Sequence, residues 1–424
     1  MKENTEWKDT EVGKIPIDWN IFKLKEKVDV IMGQSPSSNF YNKNKIGLPF
    51  MQGRTTFGDK HHTINMWTSE VKRIAIKDSV LMSVRAPVGD LNIAINELCI
   101  GRGLASLNMK NGNNEFLFYL LRAYRDQILN KETGTVFGSI NKSGIENLEL
   151  PFPPFLEQKK IAAILKSLDD KIELNNKMNE TLEEMAQTIF KEWFVNFNFP
   201  NEEGKPYKDN GGKMVESELG MIPEGWRVGR LGELVSIQNG YAFKSKELLS
   251  EGGSKVIKIK NISKKNIAIS LEGCQFISKD TQIKTNKKFK IISNDILIAM
   301  TGAEIGKVGI IPKTKENLYL NQRVGRIDQR FEGGKYYGYN YLLKKDVQKL
   351  IFVKAQGSAQ PNISSKDLEE MLVAIPNINL LDLYAKKVNL MYEKIVENLG
   401  KNQTLIKIRD TLLPKLMSGE IRIK

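Results

Sequence analysis

Two stretches of the chain place apolar residues at alternating steps of four and three. The first runs Ile161, Leu165, Leu168, Ile172, then Asn175 and Asn179, then Leu182, Ala186, Ile189, Trp193. The second runs Tyr384, Val388, Met391, Ile395, then Asn398 and Asn402, then Leu405, Arg409, Leu412, Leu416. This spacing is a heptad seam and predicts two long helices, over about 155–195 and 378–418. At ~1.5 Å per residue, each would be ~60 Å long. Both seams carry two Asn at the same place near mid-helix. Ahead of each seam lie about 150 residues of a different pattern. Short β-rich runs such as Ser79–Val84 and Val256–Ile259 alternate there with turn residues.

The two halves match in order. Gly13-Lys14-Ile15-Pro16-Ile17-Asp18-Trp19 recurs as Gly220-Met221-Ile222-Pro223-Glu224-Gly225-Trp226, an offset of 207 that Leu24/Leu231 and Gly33/Gly240 keep. Asp78-Ser79-Val80-Leu81 aligns with Asp295-Ile296-Leu297-Ile298 at 217, as does Gly89 with Gly306. The offset reaches 223 at Gly134/Gly357, Ile140/Ile363 and Pro153/Pro376. So long a period is a duplicated domain, not a solenoid. The segmentation is a first domain at 1–154, a first long helix at 155–198, and a Pro/Gly-rich linker at 199–214. A second domain at 215–376 and a second long helix at 377–424 follow. The class is α+β. If the helices pair antiparallel with positions summing to 577, Asn175 meets Asn402 and Asn179 meets Asn398. Those four Asn would then set the register at some cost in stability. Arg409 opposite Leu168 breaks the apolar seam, and the pattern offers no reason for it.

Composition narrows the function. The chain has 424 residues, 64 Lys+Arg against 50 Asp+Glu, and a net charge of +14. A basic chain of this kind suits a polyanionic partner such as nucleic acid, with a solvated lysine-rich surface as the alternative. No apolar run approaches the ~20 residues of a membrane span. The opening residues lack a signal-peptide core, so a cytoplasmic location is expected. The two cysteines, Cys99 and Cys274, cannot build a disulfide framework or a zinc cluster. The two histidines, His61 and His62, are adjacent and are read as part of a surface loop. Histidine-based metal sites and Ser-His-Asp catalysis therefore lack material. Gly211-Gly212-Lys213-Met214 is no P-loop, and Gly101-Arg102-Gly103-Leu104 lacks the third Gly of a dinucleotide fingerprint. Pro151-Phe152-Pro153-Pro154-Phe155 has Phe where amino-methyltransferases need Asn or Asp. It reads as a stiff lead-in to the helix. No catalytic residue and no metal ligand is assigned.

Polar and basic residues in glycine-containing turns are the candidate DNA contacts. They are Gln52, Arg54, Lys60 and Arg85 in the first half. In the second they are Lys258, Lys260, Asn261, Lys264, Lys265 and Lys307, with Ser358 and Gln360 in the loop Gly357-Ser358-Ala359-Gln360-Pro361-Asn362. Arg and Gln can pair bidentately with base edges, whereas lysines mainly meet phosphates.

These residues carry a resemblance. Ile15-Pro16…Trp19, Ile222-Pro223…Trp226, the 357–363 loop, and Pro151–Ala162 followed by Leu168-Asp169-Asp170-Lys171-Ile172 resemble the specificity subunit of type I restriction–modification systems. The resemblance covers nearly the whole chain. It implies two α/β target recognition domains separated by two long antiparallel coiled-coil helices with pseudo-two-fold symmetry. Each domain would read one half of a split sequence in double-stranded DNA. The helices would bind two modification (methyltransferase) subunits, which carry S-adenosylmethionine; restriction subunits using ATP and Mg²⁺ would join them. No cofactor is expected on this chain. Two departures stand out. Phe137 replaces the Gln of the second loop, and the second helix lacks the Glu157-Gln158-Lys159 run, so contacts to the two modification subunits are expected to be unequal. The specificity subunit of a type IIB enzyme, and a coiled-coil scaffold that binds no DNA, are the alternatives.

Overall fold

A computed structural model describes residues 6–130, 138–263, 267–356 and 361–423. Among these residues no helix is long and apolar enough to cross a membrane. The chain forms two compact units, 1–172 with 405–424, and 173–404. Each combines a β-rich body with part of both long helices.

In the first unit, β1 (Val28–Met32), β4 (Val80–Ser83), β5 (Leu91–Ile93) and β7 (Leu104–Met109) form an antiparallel sheet in the order β5-β4-β7-β1. A second sheet pairs β2 (Leu48–Met51) parallel to β6 (Leu98–Ile100), with β3 (Ile74–Ala75) antiparallel on the far side of β6. Helix α1 (Asn114–Ala123) starts where the Asn113 side chain accepts the Phe116 N–H, a common N-cap. Its apolar residues join a core with Trp19, Val80, Leu107 and Ile161.

The second unit repeats the plan. Here β8 (Val235–Asn239), β11 (Ile296–Ala299), β12 (Val308–Ile310) and β14 (Val324–Gln329) lie in the order β8-β14-β11-β12. The other sheet pairs β9 (Ser254–Ile257) parallel to β13 (Leu318–Leu320), with β10 (Lys290–Ile291) antiparallel to β13. Helix α3 (Gly334–Leu343) packs as α1 does.

The pairing register corrects one expectation. Val80 faces Ile93 and Leu107, and Ile296 faces Ile310 and Ile327. The offset at this strand is therefore 216, not 217. The left-handed residues before it agree: Asp78 at φ 65° corresponds to Asn294 at φ 71°. A one-residue slip would have swapped the two faces of the strand. Matching Asp to Asp by identity missed this, because Asn also tolerates that conformation.

The long helices are α2 (Phe155–Phe194) and α4 (Ile378–Met417). Pro153 and Pro154 precede α2, and the Gln158 amide donates to the Pro153 carbonyl at 2.9 Å. In the second unit Asn175 donates to Asn402 Oδ1 at 2.7 Å and Asn398 donates to Asn179 Oδ1 at 2.9 Å. The local direction is antiparallel. All four are buried rather than solvated. Asn402 also donates to Asn176 Oδ1 at 2.7 Å, a third-party acceptor outside the seam pattern.

In the first unit Arg409 has its reason. Its guanidinium meets Asp169 Oδ1 at 2.7 Å, and Tyr119 OH donates to Asp169 Oδ2, also at 2.7 Å. The seam is charged there because α1 supplies a hydroxyl to the same carboxylate.

The segment after each long helix returns to a tryptophan. Phe199 stacks on Trp226 at 5.3 Å and on Tyr207 at 4.6 Å. So 199–214 begins in the core and is not simply an exposed linker. In the first unit Arg422 lies over Trp19 and pairs with both Asp18 and the buried Glu157; Trp19 Nε1–H also donates to Glu157. Gly419 takes φ 76°, and a Cβ there would come within 2.4 Å of Pro16, so only glycine fits.

Candidate nucleic-acid interface

Each unit brings three loops together at one sheet end, with the same backbone bonds. In the first unit Gly33 N–H donates to Leu104 O, Gln34 N–H to Ile100 O, and Gly101 N–H to Met51 O. In the second, Gly240 N–H donates to Val324 O, Tyr241 N–H to Leu320 O, and Asn321 N–H to Ile257 O. The glycines permit this close approach. A Cβ on Gly33 would lie 2.2 Å from Gly101 O, and one on Gly240 2.2 Å from Asn321 O.

The junction sorts the sequence candidates. Gln52 and Arg54 follow β2, and Lys258 and Lys260 follow β9, so the two pairs are equivalent. Gln52 Oε1 accepts from Ser35 Oγ at 3.0 Å, and Gln52 is exposed. Arg54 pairs with Asp90 at 2.5 Å; Arg125 shares that carboxylate at 3.0 Å. Lys258 donates to Gln275 Oε1, and burial followed by repulsion from Lys260 holds its pKa below the usual lysine range. Lys260 is exposed.

Other candidates serve the fold. Lys60 is 6% exposed and pairs with the half-buried Glu115 at 3.0 Å; reaching DNA would cost it that partner. Asn261 is 2% exposed; its side chain accepts the Lys258 N–H and donates to Glu272 O, closing a turn. Lys307 pairs with Glu304. The Arg85 backbone pairs antiparallel with Ser139, as that of Thr301 does with Asn362, and the Arg85 side chain is exposed. Lys264, Lys265, Ser358 and Gln360 lie outside the described residues, as does Phe137. His62 is also not on the surface: it is 4% exposed, and its Nε2 accepts the Ile95 N–H at 3.3 Å. Burial lowers its pKa.

Three residues of the junction escaped sequence reasoning. Arg102 is exposed on the β6–β7 turn, with Ser35 Oγ accepting its backbone N–H at 3.1 Å. Gln322 and Arg323 hold the equivalent turn in the second unit and are also exposed. The signal is in the sequence: Gly101-Arg102-Gly103, which lacks the third Gly of a dinucleotide motif, is a tight turn that presents Arg102, and Gly33/Gly240 mark where the loops cross.

Glu157 and Gln158 are buried within the first unit. Their absence from α4, where Leu380 and Leu381 stand instead, removes an internal clamp. The expected inequality of partner contacts does not rest on these two side chains.

The family described as the type I restriction modification DNA specificity domain matches residues 16–184 and 223–387, one match in each half. The type I restriction enzyme MjaIX specificity subunit of Methanocaldococcus jannaschii is 29% identical, over 99% of this chain and 97% of its own length. The HindI specificity subunit of Haemophilus influenzae is 28% identical over 72% of this chain and 77% of its own. The crystal structure of a type I S subunit from M. genitalium shares the fold, with a TM-score of 0.63 at 18% identity; the match covers 98% of this chain and 97% of that one. The chain belongs to the type I restriction–modification DNA specificity family.

Proposed function

We propose that each unit reads one half of a split DNA target through its three-loop junction, while α2 and α4 dock modification subunits. One observation carries this reading. The same junction occurs twice on one chain, and each copy exposes Arg, Lys or Gln at equivalent positions. Gln52 and Arg102 present hydrogen-bonding groups suited to base edges in one unit; Lys260, Gln322 and Arg323 do so in the other. The chain itself performs no chemistry in this account. S-adenosylmethionine belongs to the modification subunits, and ATP and Mg²⁺ to the restriction subunits.

Single-molecule sequencing of host DNA with and without the gene tests the reading. A split motif with methyladenine in both halves should vanish on deletion. A host methylome with methylated split motifs that all survive deletion would refute it. A scaffold that binds no DNA predicts that second result.

A further inference from the structure

The edge of the second unit's junction carries a charge pattern that the first unit lacks. Residues 279–290 contain five lysines and one aspartate: Lys279, Asp280, Lys284, Lys287, Lys288 and Lys290. All five lysines are exposed. Among the described residues none of the five forms an ion pair with a carboxylate; beside them Arg326 pairs with Asp328 and donates to the Lys290 carbonyl at 2.7 Å, and Lys255 pairs with Glu316. Their backbone is well held. Ser278 caps the short helix Lys279–Lys284, and Asn286 Oδ1 accepts the Lys288 N–H at 2.9 Å.

Strand register brings the strip to the junction. β10 runs antiparallel to β13, with Lys290 opposite Tyr319. The lysines before β10 therefore lie at the end of β13 that leads into Asn321–Arg323. Phe289 meets Tyr241 of the junction at 5.4 Å between ring centres. The first unit has the same edge with other residues. β3 pairs with β6 through Cys99 opposite Ile74, so Ile74 stands where Lys290 does, and Val71 where Lys287 does. Both are partly exposed apolar residues. Lys72 matches Lys288, but Glu70 neutralises it at 2.5 Å; Asn286 stands in the place of Glu70. The exposed Arg73, in the place of Phe289, is the one cation at 70–74 that pairs with no carboxylate among the described residues, against three such lysines at 286–290.

We propose that Lys287, Lys288 and Lys290, extended by Lys279 and Lys284, form a clamp on the phosphate backbone of duplex DNA. The second unit thereby anchors the chain without regard to sequence, and the first unit adds little of this attraction. The proposal rests on the DNA-reading function above and deepens it. Exposed, unneutralised ammonium groups beside a base-reading junction are placed to displace counterions from phosphates.

The test uses the full chain and a random-sequence duplex pool. Binding is measured across a salt series for the wild type and for the triple variant Lys287→Gln, Lys288→Gln, Lys290→Gln. Each phosphate contact contributes about 0.9 to the slope of log affinity against log salt, so the triple variant should lose about 2–3 from that slope. A control variant, Lys205→Gln, Lys208→Gln, Lys213→Gln, removes the same charge from elsewhere in the unit and should leave the slope near wild type. Thermal unfolding checks that both variants fold. An unchanged slope in the first variant, or an equal loss in the control, overturns the clamp while leaving DNA reading intact. A wild-type chain with no salt-dependent DNA binding overturns the reading itself.

Discussion

The two units solve the same packing problem with opposite chemistry. Where α1 meets the long helices, Tyr119, Asp169 and Arg409 form a buried charged triad. At the helix offset of 223, Asp169 corresponds to Tyr392 and Arg409 to Ala186. The second unit thus has no ion pair at those positions. Tyr336 and Tyr392 stack at 4.4 Å, and Asn340 shares hydrogen bonds with Tyr384 and Tyr392. Tyr339 donates instead to Glu183 at 2.6 Å. Burial, eased by the Tyr339 and Gln187 bonds, holds the Glu183 pKa above the usual range. One backbone frame accepts either solution because what it requires is that buried polar atoms be paired. The buried ion pair concentrates the risk in one carboxylate, whereas the second unit spreads it over the Asn340 bonds and a half-buried Glu183 that has no cationic partner among the described residues.

The largest effect should therefore come from Asp169→Ala. It leaves the Tyr119 hydroxyl unpaired and Arg409 with only Asp410. A loss of about 3–5 kcal/mol from the first unit is expected in urea unfolding. Tyr392→Phe in the second unit removes the donor to the buried Asn340 Oδ1 but leaves the Asn340 amide its bonds to Tyr384 and the Tyr336 carbonyl, and should cost about 1–2 kcal/mol. Equal costs would end the contrast.

Next comes pH. Asp295 follows the left-handed residue of the second unit, at the position Ser79 holds in the first. Burial pushes its carboxyl up to about 6, although it accepts the Ile292 N–H. A carboxyl raised in the folded state stabilises most when protonated. Its contribution is full below the ordinary aspartate value of about 4 and is lost as pH climbs through about 6. Asp295→Asn should thus stabilise the second unit above pH ~6 by at most about 3 kcal/mol and have little effect below pH ~4. Thermal unfolding across that range checks the sign; a gain confined to acid would reverse it.

A smaller effect is expected at the Asn layer of the second unit. Asn402→Leu strands the buried Asn175 side chain, while the exposed Asn176 is left to water, and should cost about 1–3 kcal/mol. Replacing Asn175, Asn176 and Asn402 together by leucine should recover stability while loosening register. Hydrogen exchange along 173–194 and 378–404 would show the loosening. If exchange in the triple variant matches wild type, the layer does not set register.

The comparison also shows what the sequence could tell. The heptads located α2 and α4 to within a residue or two, since a 40-residue periodic pattern has few rivals. The repeated Ile-Pro…Trp marked equivalent core positions. Individual site residues were less legible. Lys60 and Asn261 look like surface polar residues in turns, yet Lys60 finds Glu115 and Asn261 finds Glu272, partners that only the fold supplies. Arg409 looked like a fault until Tyr119 and Asp169 converged on it. Arg102 and Arg323 were missed because turn composition does not show which turns meet. Strand register revealed the lysine edge, which no local motif marks.

The central claim is that each junction reads its own half of the target. Host methylome sequencing in a strain whose chain carries Gln52→Ala and Arg102→Ala tests it most directly. The account predicts that one half of the methylated motif becomes degenerate while the other half and the spacer are unchanged. A motif unaltered in both halves, or one degraded in both halves by a stably folded chain, would contradict it.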